Sequence, residues 1–265
     1  MSKESKVKTK LLLIFFLILS FPSISEAEAD FYIDKPSAVK LVQKLINAVK
    51  ADNKKQVAAL VNYPLGRRYP LKSIKNQEEF IENYSTLFDE KLKKEIIEFN
   101  PERDIFWNWQ GIALLHGGIW LDFDGKIRSL NFDSDKEQVQ WDRAIEKEKT
   151  RLHPSIRNFT KPILEGETKT HIIRIDQEGD EFYGNYRYSS WTITKTTKDR
   201  PDLVIRNGEM ELEGTGGNHH YVFKNGKYIY TIYISLIGMA PLRDTLEVQK
   251  DGTTILHQEI QYQSR

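Results

Sequence analysis

The sequence predicts an α+β protein in which N-terminal helices pack on a curved antiparallel sheet, followed by an all-β antiparallel sandwich or open barrel. Two observations predict this class. In the first third of the chain, apolar residues recur at the spacing of packed helices. From residue 161 onward, Asn-Gly and Asp-Gly pairs lie between runs of alternating residues without a helical pattern. Antiparallel strands without intervening helices form sandwiches or barrels.

Residues 1–29 have the features of a secretory signal peptide. Four lysines precede an unbroken apolar run at residues 11–19, and Pro22, Ala27 and Ala29 follow. The run has about half of the ~20 residues that a membrane-spanning helix needs. We therefore expect cleavage after Ala29, a periplasmic or secreted protein and no stable membrane span in the mature chain. The alternative is an uncleaved N-terminal anchor.

Composition argues against several classes of function. The chain beyond residue 29 has equal numbers of basic and acidic residues, so we expect no binding to nucleic acid, which depends on phosphate neutralisation. The absence of cysteine excludes disulfides, thiolate metal sites and a thiol nucleophile. A hydrophobic content of 39% excludes wholesale disorder.

Residues 30–134 are predicted to form one α+β domain. Asp34 and Pro36 have the residue types that begin a helix, and Val42 to Val49 carry its apolar stripe. A second short helix ends before Pro64. A capping box at residues 76–79 begins a third helix, which bends and ends before Pro101. Strand-like segments follow at 105–115 and 119–130, with a hairpin at residues 124–125.

This order of elements resembles the cone-shaped superfamily of nuclear transport factor and ketosteroid isomerase. The resemblance rests on helices at 36–50, 54–61 and from Gln77, a strand-like segment at 67–74, and strands at 107–115, 119–123 and 127–131. Members include isomerases, dehydratases, ligand-binding modules and interaction domains, so the resemblance implies a shape but no single activity. The isomerases use a carboxylate base with acidic and phenolic donors, and no residue here is matched to those positions.

The rest of the chain is predicted to consist of a linker helix at 135–160 and an antiparallel β domain at 161–265. Three turn signals predict hairpins in this domain: Asn207-Gly208, Asn225-Gly226 and Asp251-Gly252. As two-residue turns they place these pairs opposite one another: Ile205 and Met210, Phe223 and Tyr228, Tyr221 and Tyr230, Val248 and Ile255.

A first group of candidate site residues lies in the cone-like domain: Tyr63, Tyr69, His116 and Trp120. Chemistry at a pocket there would require a base whose pKa is shifted by desolvation. The alternative is that His116 is a turn residue and that the aromatic side chains belong to the core or its rim. No catalytic constellation stands out, so no catalytic residue is predicted.

A second group lies in the β domain: Tyr183, Trp191, His220 and Tyr233. Exposed aromatic side chains on a sheet are good anchors for proteins or sugars, and the alternative is core packing. His219 and His220 are adjacent in a strand, so they face opposite sides and cannot chelate one metal ion. The glycine-rich residues 214–218 lack the lysine and helix of a phosphate loop. No metal and no cofactor are therefore predicted.

The leading hypothesis from the sequence is an exported, non-enzymatic protein that binds a protein partner in the cell envelope. One concrete version is an immunity or inhibitor protein that blocks an envelope-targeted toxin or hydrolase. Two alternatives remain open. One is an enzyme with a small-molecule pocket in the cone-like domain. The other is a carbohydrate-binding envelope protein that uses Trp191.

Overall fold

The computed structural model describes residues 33–132, 134–179, 185–214, 217–236 and 242–262. The predicted signal peptide and Tyr183 lie outside these ranges. The predicted α+β class is confirmed, with helices concentrated before residue 152 and a large antiparallel sheet after it. The part of the chain described here contains no helix that is both long enough and apolar enough to cross a membrane.

The N-terminal helices begin where the sequence predicts. In order they are α1 (Lys35–Lys50), α2 (Lys54–Ala59), α3 (Gln77–Leu87), α4 (Glu90–Glu98) and α5 (Pro101–Asp104). Asp34 Oδ1 accepts a hydrogen bond from Ser37 N at 2.7 Å, and Asn76 caps α3 in the same way. Pro101 was expected to end a helix. The helix α4 does end before it, at Glu98, and Pro101 then begins α5, because a proline fits the first helical turn.

A four-stranded antiparallel sheet follows these helices in the order β1-β2-β3-β4. Its strands are Phe106–Asn108, Gly111–Leu114, Ile119–Leu121 and Ile127–Leu130. The predicted strand at 67–74 is wrong. That segment is a loop closed by a single bridge between Leu65 and Ile74, because Leu71 N turns back to donate to Arg68 O at 2.8 Å.

The space between the helices and this sheet is filled by side chains. The rings of Tyr84 and Phe88 stack with centroids 5.4 Å apart, and Phe80 contacts both rings edge-on. All three residues are buried together with Leu45. This core fixes α1, α3 and α4 on the sheet through apolar burial.

Helix α6 (Asp135–Arg151) lies in the segment predicted to be a linker helix. Its apolar side chains Trp141 and Ile145 pack in a separate cluster with Leu152, Ile156, Phe159 and Trp191. A short 3₁₀ turn at Pro154–Ile156 then leads into the large sheet. The helix therefore packs on the large sheet instead of crossing solvent.

The large sheet contains eight antiparallel strands, each of which pairs with its neighbours in the chain. They are β5 (Lys161–Glu167), β6 (His171–Glu178), β7 (Asn185–Thr192), β8 (Leu203–Leu212), β9 (His219–Asn225), β10 (Tyr228–Ile234), β11 (Thr245–Lys250) and β12 (Thr253–Glu259). Glu167 and Gln261 exchange two backbone hydrogen bonds of 2.7 Å, so one end of β5 meets the chain beyond β12. Of the two predicted architectures, the open barrel describes this single curled sheet.

The Asn225-Gly226 signal marks a turn, but the predicted register is wrong by one residue on each strand. Gly226 and Lys227 form the turn, and Phe223 lies opposite Tyr230 instead of Tyr228. Gly226 has φ +60° at the first turn position, as type II′ turns require. Because the pairing is displaced by two residues in total, each side chain stays on the face of the sheet that was predicted for it.

The Asn207-Gly208 signal does not mark a hairpin, and the predicted pairing of Ile205 with Met210 is wrong. Strand β8 continues through it as one strand, and Asn207 has φ +59° at a register shift opposite β7. The positive φ that suits a tight turn also suits a bulge. Gly208 lies under a ring, since a Cβ there would be 2.2 Å from Phe223 Cε1.

The hairpin at Asp251-Gly252 is confirmed, with both residues at positive φ. Lys250 lies opposite Thr253, as the turn predicts. A register shift after Gln249 then places Val248 opposite Leu256 instead of Ile255. Because a bulge adds one residue to one strand, Ile255 is left 55% exposed.

Candidate functional site

Trp191 is fully buried, so the expectation that it offers an exposed stacking surface for sugars is wrong. Its indole packs in the cluster beneath α6, and its Nε1 donates a hydrogen bond to Asp199 O at 2.9 Å. The sequence did not reveal that α6 covers this part of β7.

The four candidates of the cone-like domain do not form one site. The Tyr63 hydroxyl donates to Ala58 O at 2.9 Å and its ring packs against Phe80. Burial raises the pKa of Tyr63 to about 12. His116 is exposed on a 3₁₀ turn at Leu115–Gly117 with φ +56°. Neither residue reaches the groove that Tyr69 and Trp120 line.

His220 and Tyr233, two of the predicted binding residues, are brought together by the structure. They lie directly opposite each other on β9 and β10, and their ring centroids are 5.4 Å apart. His219, their neighbour, packs edge-on against Tyr221 on the inner side of the sheet. The predicted opposite orientation of the two histidines is therefore confirmed.

Carboxylates surround this ring pair. His220 Nδ1 lies 2.9 Å from Glu213 Oε1, and its Nε2 lies 3.4 Å from Glu211 Oε2. Burial, together with the charges of Glu247 and Glu213, raises the pKa of Tyr233. We refer to the surface formed by Glu209, Glu211, Glu213, His220, Tyr233 and Glu247 as the acidic sheet face; the first three are exposed and the other three are half-buried.

The charges of the acidic sheet face are not balanced by basic side chains. Within the described ranges, none of its four carboxylates forms an ion pair with a lysine or arginine. No cluster of His, Asp and Glu suited to a metal ion occurs there or elsewhere among the described residues. The arrangement can therefore hold a cationic group, with the Tyr233 and His220 rings available for stacking against a guanidinium.

Sequence reasoning missed a buried ionic cluster at the contact between α6, the 66–72 loop and the large sheet. Arg174, Asp176 and Arg187 are each fully buried. Asp176 bridges the two guanidiniums, with Oδ1 2.8 Å from Arg174 Nη2 and Oδ2 2.7 Å from Arg187 Nη2. Charged side chains are rarely fully buried unless they are paired.

The cluster extends to the surface through Glu148 and Glu165. Arg174 Nη1 lies 2.9 Å from Glu148 Oε2 and 2.8 Å from Glu165 Oε2. Arg187 Nη2 also donates to Ile156 O at 2.7 Å. One sequence signal could have indicated it, since Arg174 and Asp176 alternate with the apolar Ile173 and Ile175 along β6.

Comparisons with known proteins give no further assignment: no family model matches the chain, and no curated protein or solved structure is similar to it.

Proposed function

We propose that this chain is an exported, non-enzymatic binding protein that holds a cationic segment of an envelope protein with its acidic sheet face. Export is inferred from the signal-peptide pattern of residues 1–29. The single observation that carries the binding role is the half-buried His220–Tyr233 ring pair, which is surrounded by glutamates.

The composition of this face supports a protein partner. Tyrosine is enriched at binding hot spots because it offers a large, rigid and amphipathic contact. Surrounding carboxylates favour a basic partner and increase its rate of encounter. Glu209 and Glu211 lie at alternate positions of β8, and Glu213 follows just beyond its end. This stretch of chain therefore carries three charges of the same sign at alternate positions.

An immunity or inhibitor protein is one form of this function. Such a protein would block a basic toxin or hydrolase in the envelope by covering its surface. The burial of Trp191 removes the residue on which the carbohydrate-binding alternative depended. Tyr63 and His116 lie outside the groove that Tyr69 and Trp120 line, so the four residues on which the enzyme alternative rested are not brought together.

The test is affinity capture of the tagged chain, expressed with its signal peptide, from gently solubilised envelopes. A variant with Glu211→Gln, Glu213→Gln and Tyr233→Ala removes two charges and the ring. A control variant, Glu78→Gln with Glu82→Gln, removes two exposed charges from α3. We expect one stoichiometric partner that the wild type and the control retain, that the triple variant loses and that high salt releases.

Two results would overturn the proposal. One is equal capture of the same partner by the triple variant and the wild type. The other is the absence of any stoichiometric protein partner when the exported chain is folded by circular dichroism. Purified partner and chain should also show weaker affinity in the triple variant by at least about tenfold.

A further inference from the structure

A long groove runs between the small sheet and the large sheet, on surfaces separate from the acidic sheet face. Its volume is ≈ 1580 Å³, which exceeds the usual ~300–1,000 Å³ of a small-molecule site. The groove is bounded by the 66–72 loop, strands β3 to β5, helix α6 and the inner end of β9 and β10.

Apolar side chains form much of the groove lining. Trp120 projects from β3 on the side opposite the buried Ile119 and Leu121. Leu71, Leu130, Ile163 and Ile172 add half-buried apolar surface, and Leu236 remains 50% exposed at the inner end of β10. Exposed apolar surface collected in a concave site marks ligand binding.

Positive charge borders this apolar lining. Lys72, Arg128, Lys147 and Lys161 all line the groove, and none has a carboxylate partner in the ranges that the structure describes. Three glutamates, Glu148, Glu165 and Glu167, also line the groove, and the first two are already paired with Arg151 and Arg174. The chain carries a formal net charge of only +1, so these unpaired cations form a local excess of positive charge at the groove.

We propose that the groove binds a free, single-chain anionic amphiphile, of the fatty-acid or lysophospholipid class. Its hydrocarbon chain would contact the Trp120 and Ile172 lining, and its acidic headgroup would be held by Lys72 and Lys147. Lysine suits this role because an ammonium binds carboxylate and phosphate oxygens without strict geometry. An uncharged apolar ligand would leave the lysines without an anionic partner. An ion without a hydrocarbon chain would leave the apolar lining exposed to water.

The test is titration of the purified mature chain with monomeric myristate, followed by tryptophan fluorescence and calorimetry. The wild type should bind, and Lys72→Glu with Lys147→Glu should bind about tenfold or more weakly. The matched control, Lys224→Glu with Lys227→Glu, reverses two exposed charges at the β9–β10 turn and should bind like the wild type. Trp120→Phe should still bind by calorimetry but lose most of the fluorescence change.

Three other ligands distinguish this proposal from simpler explanations of myristate binding. Monomyristoylglycerol, which has the chain without the charge, should bind clearly more weakly than myristate. Inorganic phosphate should not displace myristate at similar concentrations. Equal binding of the neutral lipid, displacement by phosphate, or binding only to phosphatidylglycerol vesicles would each overturn the proposal, as would no myristate binding by a folded chain.

Discussion

The Tyr69 hydroxyl accepts a hydrogen bond from Arg174 Nη1 at 3.1 Å, and the Arg174 guanidinium lies 5.7 Å from the centre of the Tyr69 ring. The same hydroxyl donates to Glu148 Oε2 at 2.9 Å. One side chain of the 66–72 loop therefore joins α6 and the large sheet. Burial, the largest influence, raises the pKa of Tyr69, so the hydroxyl stays protonated and able to donate.

Replacing Tyr69 by Phe should destabilise the fold by about 1–3 kcal/mol, because Glu148 and Arg174 lose a buried partner while the ring is retained. The measurement is the free energy of unfolding in urea. Tyr228→Phe is the control, since the Tyr228 hydroxyl has no hydrogen bond among the described contacts. Equal effects of the two changes would contradict the role given to the Tyr69 hydroxyl.

Replacing Asp176 by Asn should be more damaging, with a loss of about 3–5 kcal/mol, because two fully buried guanidiniums then lose the charge between them. Thermal and urea unfolding would measure the loss. The comparison is Asp202→Asn, which removes an exposed carboxylate that pairs with Lys195 and accepts hydrogen bonds from Thr192. This change should affect stability much less, because solvent screens exposed ion pairs. A similarly small effect at Asp176 would show that water compensates for the missing charge.

Glu148 should make part of the stability dependent on acid. Burial acts to raise its pKa, but hydrogen bonds and charges from Arg151 and Arg174 outweigh it and lower the pKa below the ordinary value of 4.5. Its contribution is therefore complete above about pH 4.5 and is lost as the pH falls through the lowered folded pKa. Glu148→Gln should cost most near pH 7, and its difference from wild type should shrink on acidification. A difference independent of pH would contradict this linkage.

Replacing Gly208 by Ala should destabilise the large sheet by about 1–3 kcal/mol, because the added Cβ would overlap the Phe223 ring. Unfolding in urea measures the change. Gly66→Ala is a matched control, since no atom lies within 4 Å of a Cβ there. Gly208→Ala should cost less stability in a Phe223→Leu background than it does in the wild type. An equal cost in both backgrounds would exclude the Phe223 ring as the cause.

Local sequence patterns predicted the positions of helices more accurately than the contacts between strands and helices. Asp34 and Asn76 correctly predicted where helices begin, because a capping side chain bonds to a backbone N–H only three residues later in the chain. The hairpin predicted at Asn207 was wrong because a residue with positive φ occurs in bulges as well as in tight turns. Only the position of the neighbouring strand β7 decides between the two. The burial of Trp191 could not be predicted from its own strand, because it comes from α6, some fifty residues earlier in the chain.

The same division applies to the sites. His220 and Tyr233 could be placed on one face from alternation along their strands, whose pairing was predicted with the correct parity. The glutamates around them lie on β8 and β11, and the sequence did not show that β8 passes beside β9 in this register. The groove joins residues from distant segments, so no local pattern could reveal it.

The pairing of Glu167 with Gln261 affects the order in which the strands of the large sheet fold. Every other contact between neighbouring strands of the large sheet joins consecutive hairpins, and hairpins of this kind form on microsecond timescales. Glu167 and Gln261 instead meet across almost the whole β domain, so their loop closure is the entropically costly step. The large sheet should therefore assemble hairpin by hairpin, and the Glu167–Gln261 pairing should form last and open first.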